Sequence, residues 1–255
     1  MPALFEPAWL GSRRPAALNL LAVPRDLRVA VLAPHPDDFD AAGVTLRLLH
    51  KNGNRIAVAV LASGWSGVED GFHGLSSAAD KARVREDEQR ESCRFFGLPP
   101  EQPAFLRLTE DGTGRLADIP GNLEAIRRYL SEQAPHLAFL PHGNDTNLDH
   151  RLVWSMTRRA ASDLRLGVTA LLIRDPKTVA MRIDAYTEFG EEEAGWKARL
   201  LRFHRSQHQR NLNTRQKGFD ERILSVNRQA ARELGIAAPY AEAFELEFWG
   251  PIPGA

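Results

Sequence analysis

The stretch Arg28-Val29-Ala30-Val31-Leu32-Ala33-Pro34-His35-Pro36-Asp37-Asp38 decides the reading of this chain. After Arg28 the first residues are unbroken apolar, the pattern of a strand buried on both faces of a parallel sheet. The last four place one imidazole and two carboxylates where that strand stops. In open α/β sheets the crevice at the carboxyl ends of the strands is where ligands bind. A second polar cluster, Asp145-Thr146-Asn147-Leu148-Asp149-His150, follows a second apolar run, Leu137-Ala138-Phe139-Leu140. Two strand ends thus carry the residue types that chemistry needs.

Outward from that stretch, strands and helices alternate. Residues 41–49 read as a helix closed by Asn52-Gly53-Asn54, and 55–61 as the second strand. A loop rich in Gly and Ser follows at 62–67. Spacing predicts a long helix over 78–96, stopped at Gly97. Residues 104–106 read as a short strand, 122–133 as a helix, 137–140 as a strand, 151–161 as a helix and 167–173 as a strand. Such βα units predict an α/β protein, a three-layer α/β/α sandwich around a mostly parallel sheet. Beyond 175 the pattern is less regular. Residues 179–186 read as a strand, and 194–208 and 221–234 as helices. The alternation Phe244-Glu245-Leu246-Glu247-Phe248 reads as a half-exposed edge strand. No internal repeat or low-complexity tract interrupts the chain. It reads as one domain over 1–255, with a lead-in at 1–26 and C-terminal helices and edge strands at 175–255.

Composition narrows the class. The 255 residues suffice for one large core, and 33 basic residues balance 33 acidic ones. That balance gives no electrostatic case for nucleic acid or an anionic membrane. The single Cys93 excludes an internal disulfide, suits a reducing compartment and falls in a helix where burial is expected. Arg13-Arg14 before an apolar stretch mimics a short signal peptide, but Pro24 and Arg25 follow and no clean cleavage site appears. No run approaches the roughly 18 to 20 apolar residues of a membrane span. A cytoplasmic, soluble protein is expected.

The two clusters suit a metal ion. Catalytic zinc takes three protein ligands and leaves a position for water. With Pro36 at the first helical position, Asp38 would fall in the first turn, where helix-end N–H groups favour a carboxylate. His35 and Asp38 could then converge on one ion, leaving Asp37 for acid/base work. His150 is the best candidate for a third ligand. Zinc follows from ligand type, and Fe²⁺ fits the same set. A plain helix cap at Asp37-Asp38 and a surface position for His150 are the bland alternatives.

The block His35-Pro36-Asp37-Asp38 resembles the hallmark of the PIG-L / LmbE-like deacetylases, zinc hydrolases that remove acetyl groups from N-acetylated amino sugars and related amides. Asn144-Asp145-Thr146-Asn147-Leu148-Asp149-His150, the segment Lys197 to Gln207, and Tyr240-Ala241-Glu242-Ala243-Phe244 resemble the family in the expected order. The resemblance implies an LmbE-like, Rossmann-like sheet, with His35, Asp38 and His150 as zinc ligands and Asp37 as general base. It also implies that Arg85 faces the site and that Asp111 is a substrate-side carboxylate. Two positions depart from it. Phe39 stands where Glu is common. Asn147 stands where the family usually has a His, oriented by the aspartate matching Asp149, that stabilises the oxyanion. Asn can still donate a neutral hydrogen bond there but cannot transfer a proton. His142 could compensate from the strand end.

The other conspicuous residues read more simply. Trp65, in a loop after a strand, is the better sugar-platform candidate of Trp65 and Trp154. His204 and His208 lie four apart without the Glu of a zincin helix and read as structural. Glu191-Glu192-Glu193 reads as a solvated helix start. Gly64-x-x-Gly67 lacks a dinucleotide fingerprint, so no nucleotide cofactor is expected. The expected activity is removal of an acetyl group from an N-acetylglucosamine-type conjugate. The alternatives are a metal hydrolase for another amide or ester, or a metal-binding homologue without catalysis. The implied partner is a small molecule, and a homo-oligomer is compatible with the sequence.

Overall fold

The computed structural model describes residues 7–250. Its strands are β1 (Ala16–Ala17), β2 (Arg28–Ala33), β3 (Arg55–Val60), β4 (Ala104–Phe105), β5 (Leu137–Pro141), β6 (Val168–Ile173), β7 (Ala185–Phe189) and β8 (Tyr240–Trp249). Its helices are α1 (Gly43–Lys51), α2 (Ala78–Phe96), α3 (Pro120–Gln133), α4 (Leu148–Asp163), α5 (Glu191–Leu201), α6 (Arg205–Arg215) and α7 (Phe219–Leu234). One eight-stranded sheet runs β1-β7-β8-β6-β5-β2-β3-β4. β8 pairs antiparallel with both its neighbours, and every other pairing is parallel.

Strand alternation splits the core in two. Val29, Val31 and Ala33 of β2 face a cluster that includes Leu46 of α1, Phe96 of α2 and Leu200 of α5. Ala30 and Leu32 face the other side, against Ile126 and Leu130 of α3 and Val153 and Met156 of α4. Helices therefore cover both faces, which is why β2, β5 and β6 are apolar at successive positions instead of alternating. The three-layer α/β/α architecture expected from the sequence is the one observed.

Topology places the site. From β2 the chain moves outward through β3 and β4, then returns to lay β5 on the other flank of β2. The carboxyl ends of β2 and β5 thus meet where the winding direction reverses, and a crevice opens there. α2 begins under a Ser77 cap whose Oγ accepts the Asp80 N–H at 3.1 Å. It ends at Gly97, which takes φ 103, a conformation that costs glycine little.

Three expectations are corrected. The C-terminal strand is no edge: β8 lies between β6 and β7 and is almost wholly buried. Its glutamates are covered by cations from distant elements. The helix expected over 194–208 is two helices. The chain breaks before His204, which is held by Asp40 Oδ2 at 2.7 Å from its Nε2 and caps α6 in a non-helical conformation. Residues 179–184 are not strand; β7 starts at Ala185. The preceding segment instead crosses the 144–146 loop, where the Val179 N–H donates to Asn144 O at 3.0 Å and Thr178 bridges Asp145. The lead-in contributes a two-residue edge strand, β1, against β7; the first six residues of that lead-in and the last five of the chain lie outside the described residues. Among the described residues no helix is long and apolar enough to cross a membrane.

Candidate active site

The chain leaves β2 through a tight turn, not directly into a helix. The Asp38 N–H donates to His35 O at 3.3 Å, Asp37 adopts φ 107, and α1 starts only at Gly43 after a short 3₁₀ segment. The expected placement of Pro36 at a helix start is therefore replaced by a turn. A non-glycine residue at such an angle is strained, and surrounding bonds must hold it. Gln89 Oε1 of α2 accepts the Asp37 N–H at 2.8 Å. Buried Arg85, one helical turn earlier, lies 3.2 Å from Asp37 Oδ2 and donates to the carbonyls of Pro36 and Gly64. Gln89 is itself fixed by Asp40 Oδ2 at 3.1 Å, the oxygen that also holds His204. Asp37 thus presents its carboxylate from a backbone clamped by α2.

Both strand ends deliver candidate ligands to one point. His35, Asp38 and His150 each offer an atom, and these atoms lie within 4.8 Å of one another. Asp38 Oδ2 is 3.4 Å from His35 Nδ1, and Asp38 Oδ1 is 3.4 Å from His150 Nε2. The opposite nitrogens are held from behind. His35 Nε2 lies 2.9 Å from Asp149 Oδ2, and His150 Nδ1 lies 3.0 Å from Asp145 Oδ2. A carboxylate behind each imidazole fixes its tautomer and raises its basicity as a ligand. Asp149 is steadied by the Leu116 N–H at 3.1 Å.

Charge and burial agree with that arrangement. Burial works against Asp38, yet His150 and then His35 hold its carboxyl well below the ordinary range. Burial lowers His150, but Asp38 first and Asp145 second outweigh it and push it up to about 10. The cluster therefore attracts a positive charge at the point between Asp38 and the two rings. His150 Nε2 is fully buried with no hydrogen-bond partner, a costly state unless that nitrogen has an electrophile to meet. Two imidazoles and a carboxylate with an orphaned inward nitrogen fit a divalent cation.

His35 of this triad faces a cleft of about 670 Å³. His35, Asp37, Arg85, Asp111, Asn147 and Asp149 all line it. Asn147 caps α4, its Oδ1 accepting the Asp149 N–H at 3.0 Å. That bond commits the oxygen and leaves the Nδ2 donors for the cleft. Asp111 stands exposed at the edge, its Oδ1 taken by the N–H and hydroxyl of Thr113 at 2.8 and 2.7 Å. Trp65 does not line the cleft. Its ring lies so close to Gly114 that a Cβ there would fall 2.7 Å from Nε1, so it braces the edge from behind. His142 does not reach the cleft either. It lies 3.2 Å from Glu245 in a separate hollow beyond the 143–146 loop. Sequence reasoning missed the clamp Gln89, the ring-holder Asp145, and Lys177, Gln207 and Arg210, which also line the cleft. Asp145 sits in the same polar cluster as His150, and Gln207 closes one of the family-like segments. Gln89, Lys177 and Arg210 have no local signature.

The family described as PIG-L, GlcNAc-PI de-N-acetylase, matches residues 30–161, just over half of the chain, and this chain belongs to it. No curated protein matches. Among solved structures, N,N'-diacetylchitobiose deacetylase from Pyrococcus horikoshii aligns over 87% of this chain and 84% of its own, at 18% identity and a TM-score of 0.70. GalB, the 4-carboxy-2-hydroxymuconate hydratase from Pseudomonas putida KT2440, aligns over 89% and 98% at 17% identity and 0.68. The zinc-inhibited form of teicoplanin deacetylase Orf2 aligns over 87% and 98% at 16% identity and 0.62. These likenesses establish the fold.

Proposed function

We propose that this protein is a metal-dependent N-deacetylase, a hydrolase that converts the acetamido group of an amino-sugar conjugate of the N-acetylglucosamine type into an amine and acetate. The observation that carries the reading is the ligand triad His35, Asp38 and His150 with a further carboxylate, Asp37, held beside it. A purely structural metal site has no use for that extra carboxylate.

His35 Nδ1, a carboxylate oxygen of Asp38 and His150 Nε2 would hold the ion, with Asp149 and Asp145 orienting the rings. A divalent cation there, zinc by ligand type with Fe²⁺ equally accommodated, would polarise the acetyl carbonyl and acidify water. Asp37 takes the proton from the attacking water and returns it to the departing nitrogen. Arg85 keeps Asp37 in place through both transfers. The Nδ2 group of Asn147 donates to the carbonyl oxygen as negative charge gathers on it. Water adds across the C–N bond, and acetate and free amine leave.

The hydratase of the same fold favours a second reading, a metal-dependent reaction on a different substrate. Elemental analysis with acetate release from a panel of N-acetylglucosamine conjugates separates the two, and loading with zinc and with Fe²⁺ covers the case of a relative that zinc inhibits. About one metal per chain, with acetate release that Asp37→Asn lowers by about 10³ while leaving the metal bound, is the expected result. Metal without acetate release moves the assignment to another reaction or to a binding role. No metal under any loading overturns it.

A further inference from the structure

Asp37, the proposed proton carrier, stands at φ 107, a strained angle for any residue with a side chain. Its two backbone polar groups are tied into one closed ring. The Asp37 N–H donates to Gln89 Oε1 at 2.8 Å, Gln89 Nε2 donates to Asp40 Oδ2 at 3.1 Å, and the Asp40 N–H donates back to Asp37 O at 3.2 Å. The ring closes only through the Asp40 carboxylate. Two side chains aim that carboxylate. Ser92 of α2 donates to Oδ1, and His204, just before α6, sets its Nε2 2.7 Å from Oδ2. The start of α6 is keyed to the same part of α2. Glu88, the neighbour of Gln89, accepts the N–H and the hydroxyl of Ser206, each at 2.7 Å.

Packing alone gives no reason for these groups. Asp40, Gln89, Ser92 and His204 are wholly buried. His204 meets Phe219 edge to face, and Gln89 reaches the buried Cys93. Among the described residues Asp40 has His204 as its ion-pair partner and no Lys or Arg. The His204 Nδ1 is buried without a hydrogen-bond partner, a state that costs stability. Apolar side chains of similar volume often match or exceed the stability of such a buried cluster. What the cluster does supply is geometry at Asp37. Arg85 answers the Asp37 carboxylate, whereas the ring fixes the backbone that carries it.

Resting on the deacetylase reading, we infer that Asp40 and His204 are positioning residues for the reaction. His204 aims the Asp40 carboxylate, and that carboxylate, through Gln89, holds Asp37 at its positive φ and so sets where its side chain meets the attacking water. The candidate ligand Asp38 is held separately, its Oδ2 accepting the His35 N–H at 2.9 Å, so the ring governs the proton carrier and not the metal.

Hydrogen exchange at the Asp37 amide, followed by NMR in the full chain, reads this hold directly. The Leu27 amide, held in the same manner by Asn54 Oδ1 at 2.9 Å, controls for general loosening. His204→Leu and Asp40→Asn should each speed exchange of the Asp37 amide at least about tenfold relative to Leu27. In the metal-loaded chain both should lower kcat at least about tenfold, with KM within about twofold and bound metal unchanged. His204→Gln, whose amide nitrogen reaches as far as the imidazole Nε2, should recover most of both losses. If His204→Leu does not fold, His204→Asn, whose amide stops short of Asp40, takes its place in the comparison. An Asp37 amide that exchanges no faster relative to Leu27 in these variants overturns the inference, and a kcat loss alongside it leaves the deacetylase reading standing. Faster Asp37 exchange that His204→Gln reverses, with no acetate released by the wild-type chain from any N-acetylglucosamine conjugate, upholds the hold on Asp37 and overturns the deacetylase reading.

Discussion

At the floor of the cleft the ionisable groups interlock. Asp38 lies between two imidazoles, each imidazole has a carboxylate behind it, and Asp37 is clasped by Arg85. At the rim, Lys177, Arg210, Arg215 and Arg222 share the space with Asp175 and Asp37, whose charges act on Arg222, but among the described residues they close no tight ion pair. The floor is preorganised: its geometry is set by buried bonds, so a cation can be held without rearranging the protein. The rim is half-exposed and mixes these cations with Asp111 and Asp175, so its groups are held less tightly than those of the floor. On the proposed function, chemistry depends on the first and access of the substrate on the second, so substitutions should separate them.

The contrast is tested most severely from beneath the floor. Lys197 is wholly buried, and its Nζ donates to Glu242, Asn227 and the Ala41 carbonyl at 2.6, 2.9 and 2.6 Å. Glu242 in turn accepts the first N–H groups of α1, from Val44 and Thr45, at 2.9 and 2.7 Å. Lys197→Met strands that carboxylate and should cost about 3–5 kcal/mol in urea unfolding; a shift under about 1 kcal/mol would show the pair to be dispensable. Asn147→Asp keeps the helix cap but removes the donor to the oxyanion. It should leave the melting temperature nearly unchanged while lowering kcat by about 10²–10³, whereas unaltered turnover would strip Asn147 of its role. Asp149→Asn, which weakens the hold on His35, should reduce metal affinity about 10–100-fold in a competition titration with a chelator. Smallest is the exposed Arg115→Gln at the edge, expected to change KM by less than about threefold and less still at high salt. If Arg115→Gln proves as damaging as Asp149→Asn, the division between floor and rim fails.

The parallel half of the molecule was legible because its information is local. The β2 run, the polar turn after it and the matching pair at β5 announce a doubly wound sheet and its crevice. The long helix over 78–96 appears with those same limits. The C-terminal part was misread where distant residues decide. Phe244-Glu245-Leu246-Glu247-Phe248 alternates like a strand facing water, but His142 and Arg182 reach across to Glu245. The periodicity of 194–208 carries no mark of the break that Asp40 imposes through His204. At the site the grouping of His35, Asp38 and His150 could be read from the chain, whereas the positive φ of Asp37 and its clamp by Gln89 could not. They arise where α2 packs against the β2 turn, 52 positions apart in sequence. Trp65 and His142 had the right chemistry in the wrong place, one pressed behind the cleft edge and the other beyond the 143–146 loop.

The antiparallel β8 has a consequence in time as well as in space. A ribosome releases the three candidate ligands by position 150, but Glu242, which anchors the start of α1 and neutralises Lys197, is among the last described residues to emerge. Until then β6 and β7 each lack the partner that β8 supplies. The nascent chain therefore holds all three prospective ligands, and the α2 clamp on their turn, while the start of α1 still lacks its anchor, and that last support waits on a strand translated about ninety residues later.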